Sequence, residues 1–254
     1  MSPKPLAIVL AAGKGTRMKS ELPKVLLPVC GRPMIHFVLD ALDRAGFEDK
    51  VVVVGHRGDL VRDALKDRGD AISFVEQREQ LGTGHAVMQC RQQLAGRQGP
   101  VIVVAGDSPL LQSSSLQKLL GHFEERRPAL LLGTLVKDCP TGLGRILRDE
   151  SGQFIGIVEE KDASEAQRRI GEVNMSTYLF NGPDLIDALD RLDNRNVQGE
   201  YYLTDCAAIL HRGGRPVEAL PVLESCEALS INNPDELRQV DTAMRQLGYT
   251  VVTP

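Results

Sequence analysis

Leu6-Ala-Ile-Val-Leu-Ala-Ala-Gly-Lys-Gly-Thr-Arg-Met18, followed by Leu22-Pro-Lys24, is the stretch that decides the fold. Leu6 to Leu10 is a short unbroken apolar run, the pattern of a strand buried on both faces of a parallel sheet. It leads into Ala11-Ala12-Gly13-Lys14-Gly15-Thr16, where small residues let a phosphate or a base approach the backbone closely. Successive backbone N–H groups in such a turn form an anion-binding concavity, and Arg17 and Lys24 add fixed positive charge. Strand, small-residue turn and two cations together point to a nucleoside triphosphate. The P-loop pattern is not matched, and a dinucleotide-binding turn would need a third glycine at position 18, which is Met18. Spacing alone leaves a generic glycine-rich turn as the competing reading.

Beyond this loop, strands and helices alternate. Ile35, Val38, Leu39, Leu42 and Ala45 recur at helical spacing between Pro33 and Gly46. Val51 to Val54 reads as a second strand ended by Gly55, 59–67 as a short helix and Ile72 to Val75 as a third strand. A helix over 84–94 and a strand over Val101 to Ala105 follow. Such alternation predicts an α/β fold with a parallel sheet, whose ligands sit beyond the carboxyl ends of the strands. The glycine-rich loop, Gly82-Thr83 and Asp107 all fall there. The second half changes rhythm. A β-hairpin is expected at 145–148 and 154–158 around a turn at 149–152, then a polar helix at 162–170 and a strand at 173–180. Helices at 183–192 and 203–212, a strand at 216–221 and a helix at 234–247 complete the pattern, with no repeat and no linker.

The 254 residues suffice to bury roughly three quarters of the unfolded surface. A net charge of −4 argues against nucleic acid or an anionic membrane as the main partner. No apolar run approaches the ~20 residues needed to span a bilayer, and Met1-Ser-Pro-Lys-Pro5 has no signal-peptide core. The five cysteines are widely spaced without a Cys-x-x-Cys pair, so reduced thiols in the cytoplasm are expected. No two of the five histidines stand at ligand spacing, so no zinc site is expected. Oligomeric state is not readable from these residues.

Leu10-Ala-Ala-Gly-x-Gly-Thr-Arg-Met18 with Pro23-Lys24 resembles the signature of the sugar-1-phosphate nucleotidyltransferases, most of all the uridyltransferases that act on N-acetylglucosamine 1-phosphate. Six further segments match in family order: Gln80-Leu-Gly-Thr-Gly-His-Ala86, Gly106-Asp-x-Pro-Leu110, Pro140-Thr-Gly-Leu-Gly-Arg-Ile146, Ile157-Val-Glu-Glu-Lys-Asp162, Gly199-Glu-Tyr-Tyr-Leu-Thr-Asp205 and Ile231-Asn-Asn233. They span nearly the whole chain. The resemblance implies a Rossmann-like, mostly parallel sheet flanked by helices, of the nucleotide-diphospho-sugar transferase type, with a hairpin-containing sugar-binding part. It divides one domain into a nucleotide-binding half (1–126), a sugar-phosphate half (127–232) and a C-terminal helix with tail (233–254). It also implies transfer of uridylyl from UTP to N-acetylglucosamine 1-phosphate, giving UDP-N-acetylglucosamine and pyrophosphate and supplying precursors of peptidoglycan and lipopolysaccharide. The 1-phosphate of glucose or N-acetylmuramic acid is the alternative acceptor, and a non-catalytic nucleotide-sugar sensor the alternative class. In longer members a segment like 248–254 leads into an acetyltransferase β-helix, so acetyl transfer is not expected of this chain, which is either a stand-alone enzyme or a fragment.

The chemistry narrows the roles. The attacking sugar phosphate is already an anion at neutral pH, so catalysis needs alignment and charge neutralisation rather than a general base. Asp107, at the carboxyl end of a strand, is placed for Mg²⁺, which commonly takes one or two protein oxygens plus phosphates and waters. The resemblance assigns the second oxygen to Asn232, although an N-cap before Pro234-Asp-Glu236 competes for one of the two asparagines. By the same resemblance Lys24 meets the α-phosphate and Arg17 the leaving pyrophosphate. Leu10, Ala11, Ala12, Gly13, Gly15, Thr16, Gln77, Gly82 and Thr83 would bind the nucleotide, with the Gln77 amide complementing the uracil edge. Gly144, Glu159, Asn174 and Thr204 would form the sugar-phosphate pocket. There the sequence departs from the usual Asn-Thr-Gly, reading Asn174-Met175-Ser176, and the added side chains are expected to narrow the pocket.

Overall fold

The computed structural model describes residues 4–13, 15, 18, 20–229 and 231–250. Strand β1 (Leu6–Ala11) lies at the centre of the sheet, parallel to β4 (Asp49–Val54) on one side and β6 (Pro100–Ala105) on the other. Beyond β4 lies β5 (Ile72–Glu76), also parallel. Beyond β6 come β10 (Glu172–Asn181), β7 (Leu130–Val136) and the edge strand β11 (Val217–Leu220). In this path β10 alone opposes the others. The hairpin of β8 (Arg145–Arg148) and β9 (Phe154–Val158) joins at the start of β10, and a separate two-residue pairing links β2 (Pro28–Val29) with β3 (Arg32–Pro33).

Period-two alternation sorts the apolar residues into two cores. Leu6, Ile8, Val51, Val53, Val101 and Val103 face one layer. Ala7, Val9, Val52, Val54, Ile102 and Val104 face the other. The first layer is covered by α3 (Thr83–Met88), α4 (Arg91–Leu94), α7 (Gly182–Arg191) and α8 (Asp205–Arg212). The second is covered by α1 (Met34–Arg44), α2 (Gly58–Ala64) and α5 (Ser113–Arg126). Each fully buried aliphatic side chain here contributes about 1.5–3 kcal/mol, which is why the strands read as unbroken apolar runs. A satellite cluster seats α9 (Pro234–Gln246) on Met18, Val29, Met34 and Leu110.

Three expected elements differ. The helix expected over 84–94 is interrupted at Cys90, whose φ of −86° and ψ of 14° leave the helical region and separate α3 from α4. The polar helix over 162–170 shrinks to α6 (Glu165–Arg168), one turn held by a Ser164–Gln167 capping box. The helix over 59–67 ends at Ala64 and continues as a tighter turn. The structure adds α5 and β7, which the sequence reading passed over. Among the described residues, no helix is long and apolar enough to cross a membrane.

The strand directions fix where ligands can bind. Because β1, β4, β5 and β6 run the same way, Ala12–Gly13, Gly55, Gln77 and Gly106–Asp107 emerge at one edge. The antiparallel β10 brings its beginning to that same edge, since Tyr178 pairs with Val103 and Asn181 with Pro100. There β10 leaves β6 and takes β8 as its neighbour, through Val173 and Arg145, so the sheet splits. Met175 and Ser176 form a bulge at the split, between the Asn174–Thr134 and Thr177–Gly133 pairs.

Candidate active site

The end of β1 and the end of β6 are tied together by backbone. The Gly106 N–H donates to the Leu10 carbonyl at 2.9 Å, and a Cβ on Gly106 would come within 2.9 Å of that oxygen. Leu10 thus contributes as a strut, with its carbonyl engaged. Ala11 and Ala12 are buried, whereas Gly13 is exposed with nothing near the space a Cβ would fill. Gly15 has φ +58° and lies against Lys24, where a Cβ would meet the Lys24 Cβ at 2.8 Å. Thr16 and Arg17 lie outside the described residues. Lys24 opens a short turn after Pro23, and its ammonium pairs with the Asp107 carboxylate, both partly exposed. A cation and an anion expected to serve one triphosphate therefore meet at the carboxyl ends of neighbouring strands.

Gln77 extends the β4–β5 pairing by one residue, its N–H donating to Val54 at 2.7 Å, and is buried. Its side-chain Nε2 donates to the Gly82 carbonyl at 3.0 Å and lies 3.1 Å from Nδ1 of His85. The amide is thus part of the scaffold of the turn as well as a candidate base-reading group. The turn is sewn to the later segment: Tyr201 N–H donates to Leu81, Gly84 N–H to Tyr201, and Leu203 N–H to the Thr83 hydroxyl. Gly82 has φ +102° and ψ 175°, and a Cβ there would lie 2.5 Å from the Tyr201 carbonyl. Only glycine fits. His85 stacks on Tyr201 with ring centroids 6.1 Å apart. Neither ring was singled out from the sequence, although both stand inside the matching motifs.

Gly144, Glu159 and Asn174 come together from three segments. The Asn174 N–H donates to the Gly144 carbonyl at 2.9 Å. A Cβ on Gly144 would lie 3.4 Å from a Glu159 carboxylate oxygen and 3.6 Å from the Asn174 Cβ. Desolvation raises the Glu159 pKa, with Asp162 and Asp205 adding to the shift. Asn174 is buried; its Nδ2 donates to the Tyr178 hydroxyl at 2.8 Å and its Oδ1 accepts from Ser176 N–H at 3.3 Å. Burial pushes the Tyr178 hydroxyl up to about 12. Thr204 stands at the N-cap of α8, and its side chain makes no capping hydrogen bond to that helix.

The bulge gives the Met175-Ser176 departure a physical reading. Met175 is partly buried and packs against the small cluster of Leu135, Val173 and Leu223, as does Leu143. Ser176 has φ +55°, a left-handed conformation that costs a non-glycine residue about 1–2 kcal/mol. The glycine usual at this place would adopt it without strain.

The two asparagines divide their labour. Asn233 caps α9, its Oδ1 accepting from Asp235 and Glu236 N–H at 3.0 and 2.9 Å. Asn232 therefore does not cap; its backbone N–H and its Nδ2 both donate to Glu236 Oε2, at 2.8 and 3.0 Å. Ile231 is buried in the same cluster as Leu110, which anchors the 231–233 segment to the loop carrying Asp107. A carboxylate oxygen and an amide oxygen are hard donors of the kind Mg²⁺ takes, so this pair fits that ion.

A profile of the family described as "MobA-like NTP transferase domain" matches residues 7–194. The chain is 44% identical over 240 residues to the "Bifunctional protein GlmU" of an Exiguobacterium species, covering 94% of this chain and 52% of that protein. It is 43% identical over 257 residues to the protein of the same name from Listeria monocytogenes, covering 98% and 55%. The chain thus spans about half the length of the curated relatives it matches. A crystal structure of a UDP-glucose pyrophosphorylase complexed with UDP-glucose superposes with a TM-score of 0.74 at 18% identity, over 96% of this chain and 99% of that one. It shares this fold.

Proposed function

The chain belongs to the MobA-like NTP transferase domain family, and from that membership we propose that it transfers a uridylyl group from UTP to N-acetylglucosamine 1-phosphate. The observation that supports the reading is that the Lys24–Asp107 pair and the Gly144–Glu159–Asn174 cluster lie at the same edge of the sheet. The GlmU relatives support the same choice of chemistry.

In this reading a sugar-phosphate oxygen attacks the α-phosphorus of UTP, and the bond from that phosphorus to the β-phosphate bridging oxygen breaks. Lys24 leaves its ion pair with Asp107 to neutralise charge developing at the α-phosphate. Arg17 would hold the departing pyrophosphate. The Ala11–Gly13 backbone and the Gln77–Gly82–Thr83 turn seat the uridine, while Glu159 and Asn174 hold the sugar, with Gly144 leaving room for the N-acetyl group and Thr204 at the phosphate end. Asp107 and Asn232 would hold Mg²⁺, which when bound supplies charge neutralisation between the two phosphates. Residues 1–126 serve as the nucleotide half and 127–232 as the sugar half of one site. A cytoplasmic location and a supply of precursors for peptidoglycan and lipopolysaccharide go with this reading.

The test is pyrophosphate release with UTP and Mg²⁺ against the 1-phosphates of N-acetylglucosamine, glucose and N-acetylmuramic acid. Preference for the first is expected, because Met175 packs against Leu135, Val173 and Leu223. Preference for another sugar would overturn the acceptor while keeping the transfer chemistry.

A further inference from the structure

Arg145 is the largest fully buried side chain among the described residues, 1% exposed at the start of β8. Its Nη2 lies 2.6 Å from Glu160 Oε2 and 3.3 Å from the Arg168 carbonyl, and Nη1 donates to the Leu143 carbonyl. Glu160 Oε2 also accepts from the Gly142 N–H at 3.2 Å. The Arg145 Nε is buried with no hydrogen-bond partner among the described residues. A buried cation left partly unsatisfied is a poor way to gain stability, since an apolar residue of similar volume is often as good or better.

What the guanidinium fixes is position. It joins the 142–144 loop, Glu160 and the end of α6 through one group. Gly144 immediately precedes Arg145, Glu159 immediately precedes Glu160, and Asn174 immediately follows Val173, the cross-strand partner of Arg145. Gly144 and Glu159 are thus chain neighbours of the two clasped residues, and Asn174 is the chain neighbour of the strand residue paired with Arg145. We propose that Arg145, clasped to Glu160, is a positioning residue that sets the sugar 1-phosphate pocket by holding Gly144, Glu159 and Asn174 in register. The proposal rests on the sugar-phosphate reading of that cluster. Glu160 is kept ionised for this role, its carboxyl held below the usual carboxylate range chiefly by the hydrogen bond from Arg145.

The experiment compares wild type, Glu160→Gln and Arg145→Met as full chains, by steady-state kinetics and by backbone amide exchange. The half-saturating concentration of N-acetylglucosamine 1-phosphate is expected to rise about tenfold in Glu160→Gln and further in Arg145→Met, with that of UTP unchanged within about twofold. Amide exchange in both 142–144 and 160–168 is expected to quicken together. If Arg145→Met does not fold, Glu160→Gln carries the same comparison. A parallel rise for both substrates, or a lower melting temperature with an unchanged acceptor constant, would mark the clasp as merely structural and overturn the proposal. A folded wild type inactive on every sugar 1-phosphate would sink the transferase reading alone. The clasp would then be judged by exchange, supported if both segments loosen together and overturned if they do not.

Discussion

Lys24, in the turn after Pro23, and Asp107, just past β6, neutralise one another, and in the proposed reaction each would partner a different part of a metal–triphosphate. Occupying the site would exchange one ion pair for two, which keeps either charge from standing alone. Lys24→Ala removes a charge used mainly as the transition state forms, so kcat should fall at least about a hundredfold. Gln77 holds the Gly82 carbonyl, and in the proposed reaction it would read the base, so Gln77→Ala should raise KM for UTP about tenfold and leave kcat nearly unchanged. Steady-state kinetics of the two variants separate these roles, and equal losses in kcat would contradict the division. The motifs singled out Lys24 and Asp107 separately, and the structure pairs them. That the Gln77 amide spans the turn was not legible in the sequence, because the Gly82 carbonyl and His85 that engage it are placed by the folded turn rather than by spacing.

Two elements hold site residues through features that can be removed singly. The turn before α3 needs glycine at position 82, where backbone conformation and the Tyr201 carbonyl both exclude a side chain. Gly82→Ala should destabilise the fold by about 1–3 kcal/mol and weaken UTP binding in the fraction that folds, readable by denaturant titration and calorimetry. At α9 the asparagines are predicted to separate. Asn233→Ala should cost about 1 kcal/mol through the lost cap. Asn232→Ala should instead lower Mg²⁺-dependent turnover with a smaller loss of stability. Thermal melts and activity measured on both variants decide it: identical behaviour would undo the assignment. The sequence left the cap open between two adjacent asparagines; the bond directions give it to Asn233. The α5 helix was harder to read for a related reason. Its first turn has no local side-chain cap, and Glu227, distant in sequence, accepts from the Gln112 N–H and the Ser115 hydroxyl.

Across the whole molecule, the alternation of β1, β4 and β6 between two cores made the sheet readable from runs of Val, Ile and Leu. The run Leu130-Leu-Leu carries the same signal in β7, yet its neighbour β10 is antiparallel, and no periodicity announces strand direction. That reversal brings Asn174 to the nucleotide edge. The first core also holds two of the cysteines. Burial pushes the Cys90 thiol up to about 12 and raises that of Cys206 well above its ordinary value. Cys139 is exposed, so a thiol reagent at neutral pH should label it first in the native chain, with Cys90 and Cys206 reacting only on unfolding. Rapid native labelling of Cys206, located by peptide mapping, would mean that the layer under α8 is looser than described.

The central claim is that one edge of this sheet joins a uridylyl donor to a sugar 1-phosphate. Phosphorus NMR of the full chain with UTP, N-acetylglucosamine 1-phosphate and Mg²⁺ tests it most directly. The account predicts equal growth of a nucleotide-sugar diphosphate pair and of pyrophosphate, with both substrates consumed together. Unchanged spectra from folded protein, or release of inorganic phosphate in place of pyrophosphate, would contradict it.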